Sequence, residues 1–174
     1  TLGLTFNNFS TKKFFKKEAW SPLPGGDGQK LSIRAQSNGR YYQGYNFSFT
    51  EPWLGGKKPN SLSFWINNTA LSSNGLLRSN PDYTGLSITG TGFGLQRRKK
   101  WPDDYFQANT SINLQQYILK NYNQFIFSTG NSYNFNLTQE ISRNSVDAPI
   151  FPTSGSNLNS ILWLPLGISK ALKT

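Results

Sequence analysis

The chain contains no cysteine, no histidine and no methionine. Without cysteine there is no disulfide, no thiolate metal site and no thiol chemistry. Without histidine, serine–histidine catalysis and histidine-ligated zinc are excluded. Without an initiator methionine, the chain is expected to be processed or to be a fragment. Charge is also sparse: Asp, Glu, Lys and Arg make up 15% of the 174 residues, no more than Phe, Trp and Tyr together. It is one-sided as well, with 18 basic residues against 8 acidic ones and a net charge of +10. Long apolar runs are missing. The longest, Ile161 to Leu166, falls far short of the ~18 residues a spanning helix needs. No signal peptide opens the sequence. A membrane barrel survives all these exclusions, because only alternate residues of a barrel strand face lipid and its average stays polar.

What the sequence has in abundance is alternation. Helical periodicity is scarce, whereas period two recurs along the chain. Phe106, Ala108, Thr110, Ile112 and Leu114 form one face of a strand whose other face is Gln107, Asn109, Ser111, Asn113 and Gln115. Tyr133, Phe135, Leu137 and Ile141 likewise oppose Asn134, Asn136, Thr138, Glu140 and Ser142. Shorter alternations run through 2–7, 31–36, 45–50 and 62–67. The segment 84–95 starts with Leu86 and Ile88 on one parity and ends with Phe93 and Leu95 on the other. A β-bulge among Gly90, Gly92 and Gly94 is the expected cause. In 157–168, Ile161 and Trp163 join an otherwise polar parity. Eight strands, mostly 8–11 residues long, are predicted in an antiparallel up-and-down meander. No composition shift marks a second domain, so residues 1–174 read as one domain.

The polar parities decide between a soluble sandwich and a membrane barrel. A water-facing sheet uses Lys, Glu and Arg freely. Here the polar positions are Asn, Gln, Ser, Thr and Gly, with Arg34 and Glu140 as exceptions. Uncharged polar groups suit a barrel interior, which leaves the apolar parity for lipid. The turns point the same way. In a meander the first, third, fifth and seventh connections, roughly 11–29, 51–60, 96–104 and 144–156, share one end. They carry Lys12, Lys13, Lys16, Lys17, Lys57, Lys58, Arg97, Arg98, Lys99 and Lys100, whereas the even connections carry only Arg40, Arg78 and Lys120. Trp20, Trp53 and Trp101 fall one to each basic turn, and Phe151 lies in the fourth. Tryptophan prefers the headgroup level of a bilayer, and Lys and Arg pair with anionic headgroups there. A basic, aromatic rim at a phospholipid leaflet is the expectation.

Other chemistries find little support. Asp103 and Asp104 follow four basic residues, so local charge compensation is expected rather than paired-carboxylate catalysis. Glu140 and Arg143 are expected to form an interior ion pair. The run TGTGFG (89–94) lacks the helix a dinucleotide fingerprint requires. Nucleic-acid binding needs cations and aromatics on one exposed face, and here they are segregated. Asn-X-Ser/Thr triplets within strands are what an Asn-rich chain gives by chance.

Two segments carry a resemblance. FSFTEPWLGG (47–56) resembles the end of the fourth barrel strand of BamA-type outer-membrane assembly proteins. SRNSVDAPIFPTSGSNLN (142–159) resembles the turn before that family's ninth strand, and its Asn-rich style is closest to Bacteroidetes members. The likeness spans nearly the whole chain, as strands two to nine of a sixteen-stranded transmembrane β-barrel, or about half of it. It implies a non-enzymatic factor, without cofactor or metal, that folds and inserts β-barrel proteins into the outer membrane of a Gram-negative bacterium. The implied partners are outer-membrane lipids, the rest of the same barrel with its POTRA domains, accessory lipoproteins and nascent outer-membrane proteins, with no nucleic acid. POTRA domains, the Val-Arg-Gly-aromatic loop and the seam strands are not in this sequence. With a periplasmic basic rim both termini emerge on the extracellular side, so an internal segment of a longer chain is expected. Pro152, Thr153, Ser154 and Gly155 are expected to set the register of the last strand pair as a periplasmic turn. A porin-like or secretion-type barrel and a soluble β-sandwich binding glycans or polyanions are the alternatives.

Overall fold

The computed structural model describes residues 1–56, 60–124 and 127–166. It consists of eight strands: β1 (Leu2–Phe9), β2 (Gln29–Asn38), β3 (Tyr42–Glu51), β4 (Ser61–Ser72), β5 (Gly85–Arg98), β6 (Phe106–Lys120), β7 (Gly130–Asn144) and β8 (Asn157–Pro165). All pair antiparallel with their sequence neighbours, in the order β1 to β8, as one open sheet. Two single-turn 3-10 segments, Lys17–Ala19 and Leu54–Gly56, are the helical elements among the described residues. The expected all-β meander is present. Its strands reach 14 and 15 residues in β5, β6 and β7, longer than alternation alone marks out.

Register sorts the side chains into two faces, because residues paired across a ladder point the same way. Leu31, Phe49, Phe64, Phe93, Ile112, Leu137 and Leu164 are successive partners across seven strands. Beside them runs a second row, Ile33, Phe47, Ile66, Thr91, Leu114 and Phe135. Phe64 stacks against Phe47 and Phe93 at ring distances of 6.3 and 4.9 Å. These rows are not a buried core: Phe93 is 54% exposed, Ile112 44% and Ile66 43%. Soluble monomers rarely leave contiguous apolar patches of more than a few hundred Å² in water. A face seven strands wide needs a non-aqueous neighbour.

The opposite face is a polar web. The Asn113 amide donates to Asn136 Oδ1 at 3.0 Å, the Asn109 amide to Glu140 at 3.4 Å and Gln96 to Gln107 at 2.9 Å. Among the described residues no buried side-chain polar atom lacks a partner, as buried polar groups require. Toward the end carrying the even connections this face turns apolar, where Leu71, Leu86 and Leu119 are adjacent partners.

That cluster explains the parity change in β5, and the expected bulge at Gly90, Gly92 and Gly94 is absent. Pairing runs unbroken from Ser61↔Gln96 to Ser72↔Gly85 and from Gly85↔Lys120 to Arg98↔Gln107. Leu86 and Ile88 lie on the face of the apolar cluster, and Phe93 and Leu95 on the exposed apolar face. The glycines instead make a flat strip for large neighbours. A Cβ on Gly92 would lie 2.5 Å from the Trp65 ring and 2.8 Å from Asn113 Oδ1, and one on Gly90 would lie 2.5 Å from Asn67. The register shift falls between Phe6 and Phe9 of β1.

Candidate functional site

The odd connections, 10–28, 52–60, 99–105 and 145–156, meet at one end of the sheet, as an up-and-down order dictates. Lys12, Lys13, Lys16, Lys17, Lys99 and Lys100 lie in them and are exposed. Arg97 and Arg98 belong to β5 rather than to the turn, paired with Ala108 and Gln107. Lys57 and Lys58 lie outside the described residues.

The first connection is built on aromatic packing. Phe14 meets Phe9 at 6.4 Å, Phe15 at 5.4 Å and Trp20 at 5.4 Å, and Phe9 meets Phe49 of the apolar face at 6.4 Å. The Trp20 indole donates to the Phe14 carbonyl at 2.9 Å. The loop thereby extends the apolar face at its rim, and Phe15 stands 92% exposed. Phe14 and Phe15 were not singled out from the sequence. Their signal, an aromatic pair between two lysine pairs, reads as a loop until the chain is folded. Trp53 and Trp101 are exposed in the next two odd connections, as is Phe151 in the last.

The fourth odd connection is a braced turn. The Asp147 carboxylate accepts from the Thr153 backbone N–H at 3.0 Å, the Ser154 N–H at 3.1 Å and the Thr153 hydroxyl. In return the Asp147 N–H donates to the Ser154 carbonyl at 3.2 Å. These bonds, led by the Thr153 hydroxyl and then the Ser154 N–H, lower the Asp147 pKa to about 2, because they favour the charged form. Gly155 sits at φ +97°, and a Cβ there would collide with the Ser145 carbonyl. Pro152 precedes this braced pair, and Phe151 before it has φ +57°.

The charge pairing departs from expectation. Arg143 does not pair with Glu140, because they lie on opposite faces of β7. Arg143 Nη2 contacts Asp103 at 2.8 Å, its Nε donates to the same carboxylate at 2.8 Å, and its Nη1 reaches Ser145 at 2.7 Å. Asp103 therefore ties the third odd connection to the fourth instead of compensating Arg97 to Lys100. The Arg143 guanidinium also covers the Tyr105 and Phe106 rings, at 5.7 and 5.8 Å. The described residues hold no cluster of His, Cys, Asp or Glu able to ligate a metal.

An exposed apolar face backed by a polar one with few charges, in a single up-and-down sheet, is what the wall of an outer-membrane β-barrel shows. Residues 25–164, more than half of the chain, match the Omp85 superfamily domain, and the chain belongs to that superfamily. Its members are outer-membrane proteins of Gram-negative bacteria or organelles that insert or transport proteins. No curated protein and no solved structure matches the chain.

Proposed function

We propose that the chain is part of the barrel of a BamA-type assembly factor that folds and inserts β-barrel proteins into the outer membrane of a Gram-negative bacterium of the Bacteroidetes type. The observation that carries this reading is the segment 142–159. The residues that resemble the BamA family's turn are the ones braced around Asp147 in a compact loop. The chain supplies strands two to nine of sixteen. The role is non-enzymatic and uses no cofactor: a seam formed by strands elsewhere in the barrel templates client strands by edge pairing. The wall described here supports that seam. The basic, aromatic rim faces the periplasm, where it meets phospholipid headgroups and acidic surfaces of POTRA domains or accessory lipoproteins.

Depletion of the full-length protein in its own cell tests the role. The expected outcome is loss of many unrelated folded barrels from the outer membrane, read as heat-modifiable bands. Intact barrel levels together with loss of one secreted substrate would instead assign a secretion transporter.

A further inference from the structure

Arg40 and Arg78 in the even connections and Lys120 at the end of β6 are far apart in sequence but meet in the fold. Arg40 and Arg78 line one cavity of about 270 Å³ with Ala70, Leu76, Leu77 and Tyr83. Arg78 also lines a neighbouring cavity of about 90 Å³ with Lys120, Ile118 and Ser87. Ala70, Ser87 and Ile118 are successive ladder partners on the apolar, outward face. The Tyr83 hydroxyl lies against Gly85 on that same side. Both cavities thus open toward lipid, at the end of the wall opposite Trp20, Trp53 and Trp101.

Their level along the strands is informative. Two residues nearer the middle, the outward face carries Tyr45, Asn68, Thr89, Gln116 and Tyr133 as one row of partners. Asn68 donates to Thr89 at 2.8 Å and Gln116 to the Tyr133 hydroxyl at 3.0 Å. A row of tyrosines and of amides that donate to neighbouring hydroxyls marks the border of the hydrocarbon. The cations stand just beyond it, at headgroup level. They also lack counter-charges: the one ion pair among the described residues is Arg143–Asp103. Asp82, the acid of the same loop, joins none. Lys120 donates to the Arg78 and Asn80 carbonyls, each at 3.2 Å, and so fastens the loop that carries Arg78.

Two unpaired guanidinium groups beside exposed leucines match a ligand with phosphate at one end and acyl chains at the other. Arginine forks onto phosphate oxygens, and Leu76 and Leu77 offer apolar contact to a chain. We infer that this is a binding site for a phosphorylated, multiply acylated glycolipid of the leaflet at that end, with Arg40 and Arg78 on the phosphate. The inference rests on the orientation proposed above, which makes that leaflet the outer one.

The test uses the full-length protein in detergent, with lipid retention read by native mass spectrometry. The probes are diphosphorylated lipid A, its dephosphorylated form, phosphatidylglycerol and inorganic phosphate as competitor. Wild type and Arg34→Gln, on the polar face, should retain diphosphorylated lipid A. The double variant Arg40→Gln/Arg78→Gln should retain it about tenfold less, or ~1.4 kcal/mol, while keeping its heat-modifiable mobility. The double variant Arg40→Lys/Arg78→Lys should recover part of the loss. Equal retention by the glutamine variant, indifference to dephosphorylation, or full displacement by inorganic phosphate would overturn the site. A preference for phosphatidylglycerol would overturn the glycolipid and the orientation together, leaving the assembly role to its own depletion test. A full-length protein that folds without detergent and retains no lipid would remove the membrane wall itself.

Discussion

Asp147 shows how one carboxylate organises a turn that has no helix or sheet ladder of its own. Three donors converge on it from Thr153 and Ser154, and Gly155 then takes a backbone angle that side chains resist. Serine, threonine, aspartate and glycine spaced in this way are legible as a turn. Which acid holds it is not, because Asp147 lies six residues before Thr153, outside the familiar local motifs. Its pKa, lowered to about 2, fixes a sign. The unfolded carboxyl titrates near ~3.9, so the folded turn binds its proton less readily. The contribution is complete above the unfolded value and is lost as pH falls through the folded one. Asp147→Asn should therefore melt below wild type at pH 6, and the gap should close as pH drops from about 4 to about 2. A gap unchanged down to pH 2 would show that the charge is not what braces the turn.

Strands are the best-read feature of this chain, because alternation is a local property and each strand's pairing partner is its sequence neighbour. The two apolar rows follow directly. Errors arise where cross-strand neighbours decide. Gly90, Gly92 and Gly94 look like a bulge along β5 but are clearance for Trp65 and Asn67 of β4. Arg143 looks close to Glu140 along the chain but points to the other face and finds Asp103 of another hairpin. Even the outward face is not uniformly apolar, since Asn68 and Thr89 satisfy each other there. The two faces make opposite predictions for one residue type. Phe93→Arg places a charge in the central row of the apolar face and should cost about 2–4 kcal/mol of membrane-embedded stability. Gln36→Arg, at an exposed position of the polar face, should cost less than about 1 kcal/mol, an ordinary surface-like change. Urea titrations of the full-length barrel refolded in vesicles measure both. Equal costs would mean that Phe93 does not face lipid.

Taken together, the molecule is a wall with unlike ends, and its charge is distributed accordingly. The odd-connection end gathers most of the cations with Trp20, Trp53, Trp101 and the Phe14 cluster. Among the described residues the even-connection end has three cations, two of them facing a cavity with leucines. A net +10 alone would read as non-specific attraction to any polyanion, whereas the proposed periplasmic rim would direct it to a charged bilayer surface. Each Lys or Arg near an anionic surface is worth up to about 1 kcal/mol and is screened beyond ~8 Å at physiological salt. Refolding of the full-length barrel should therefore be faster into phosphatidylcholine vesicles containing phosphatidylglycerol than into phosphatidylcholine alone. The gain should shrink in high salt. Replacing Arg97, Arg98, Lys99 and Lys100 together with Gln should lower it by about tenfold, the equivalent of ~1.4 kcal/mol and well under the sum of four full contacts, because side chains at a rim are partly hydrated. The same replacement should leave the rate into uncharged vesicles unchanged. A variant that kept the whole gain would show that this rim does not meet phospholipid, and the proposed periplasmic orientation would fall with it.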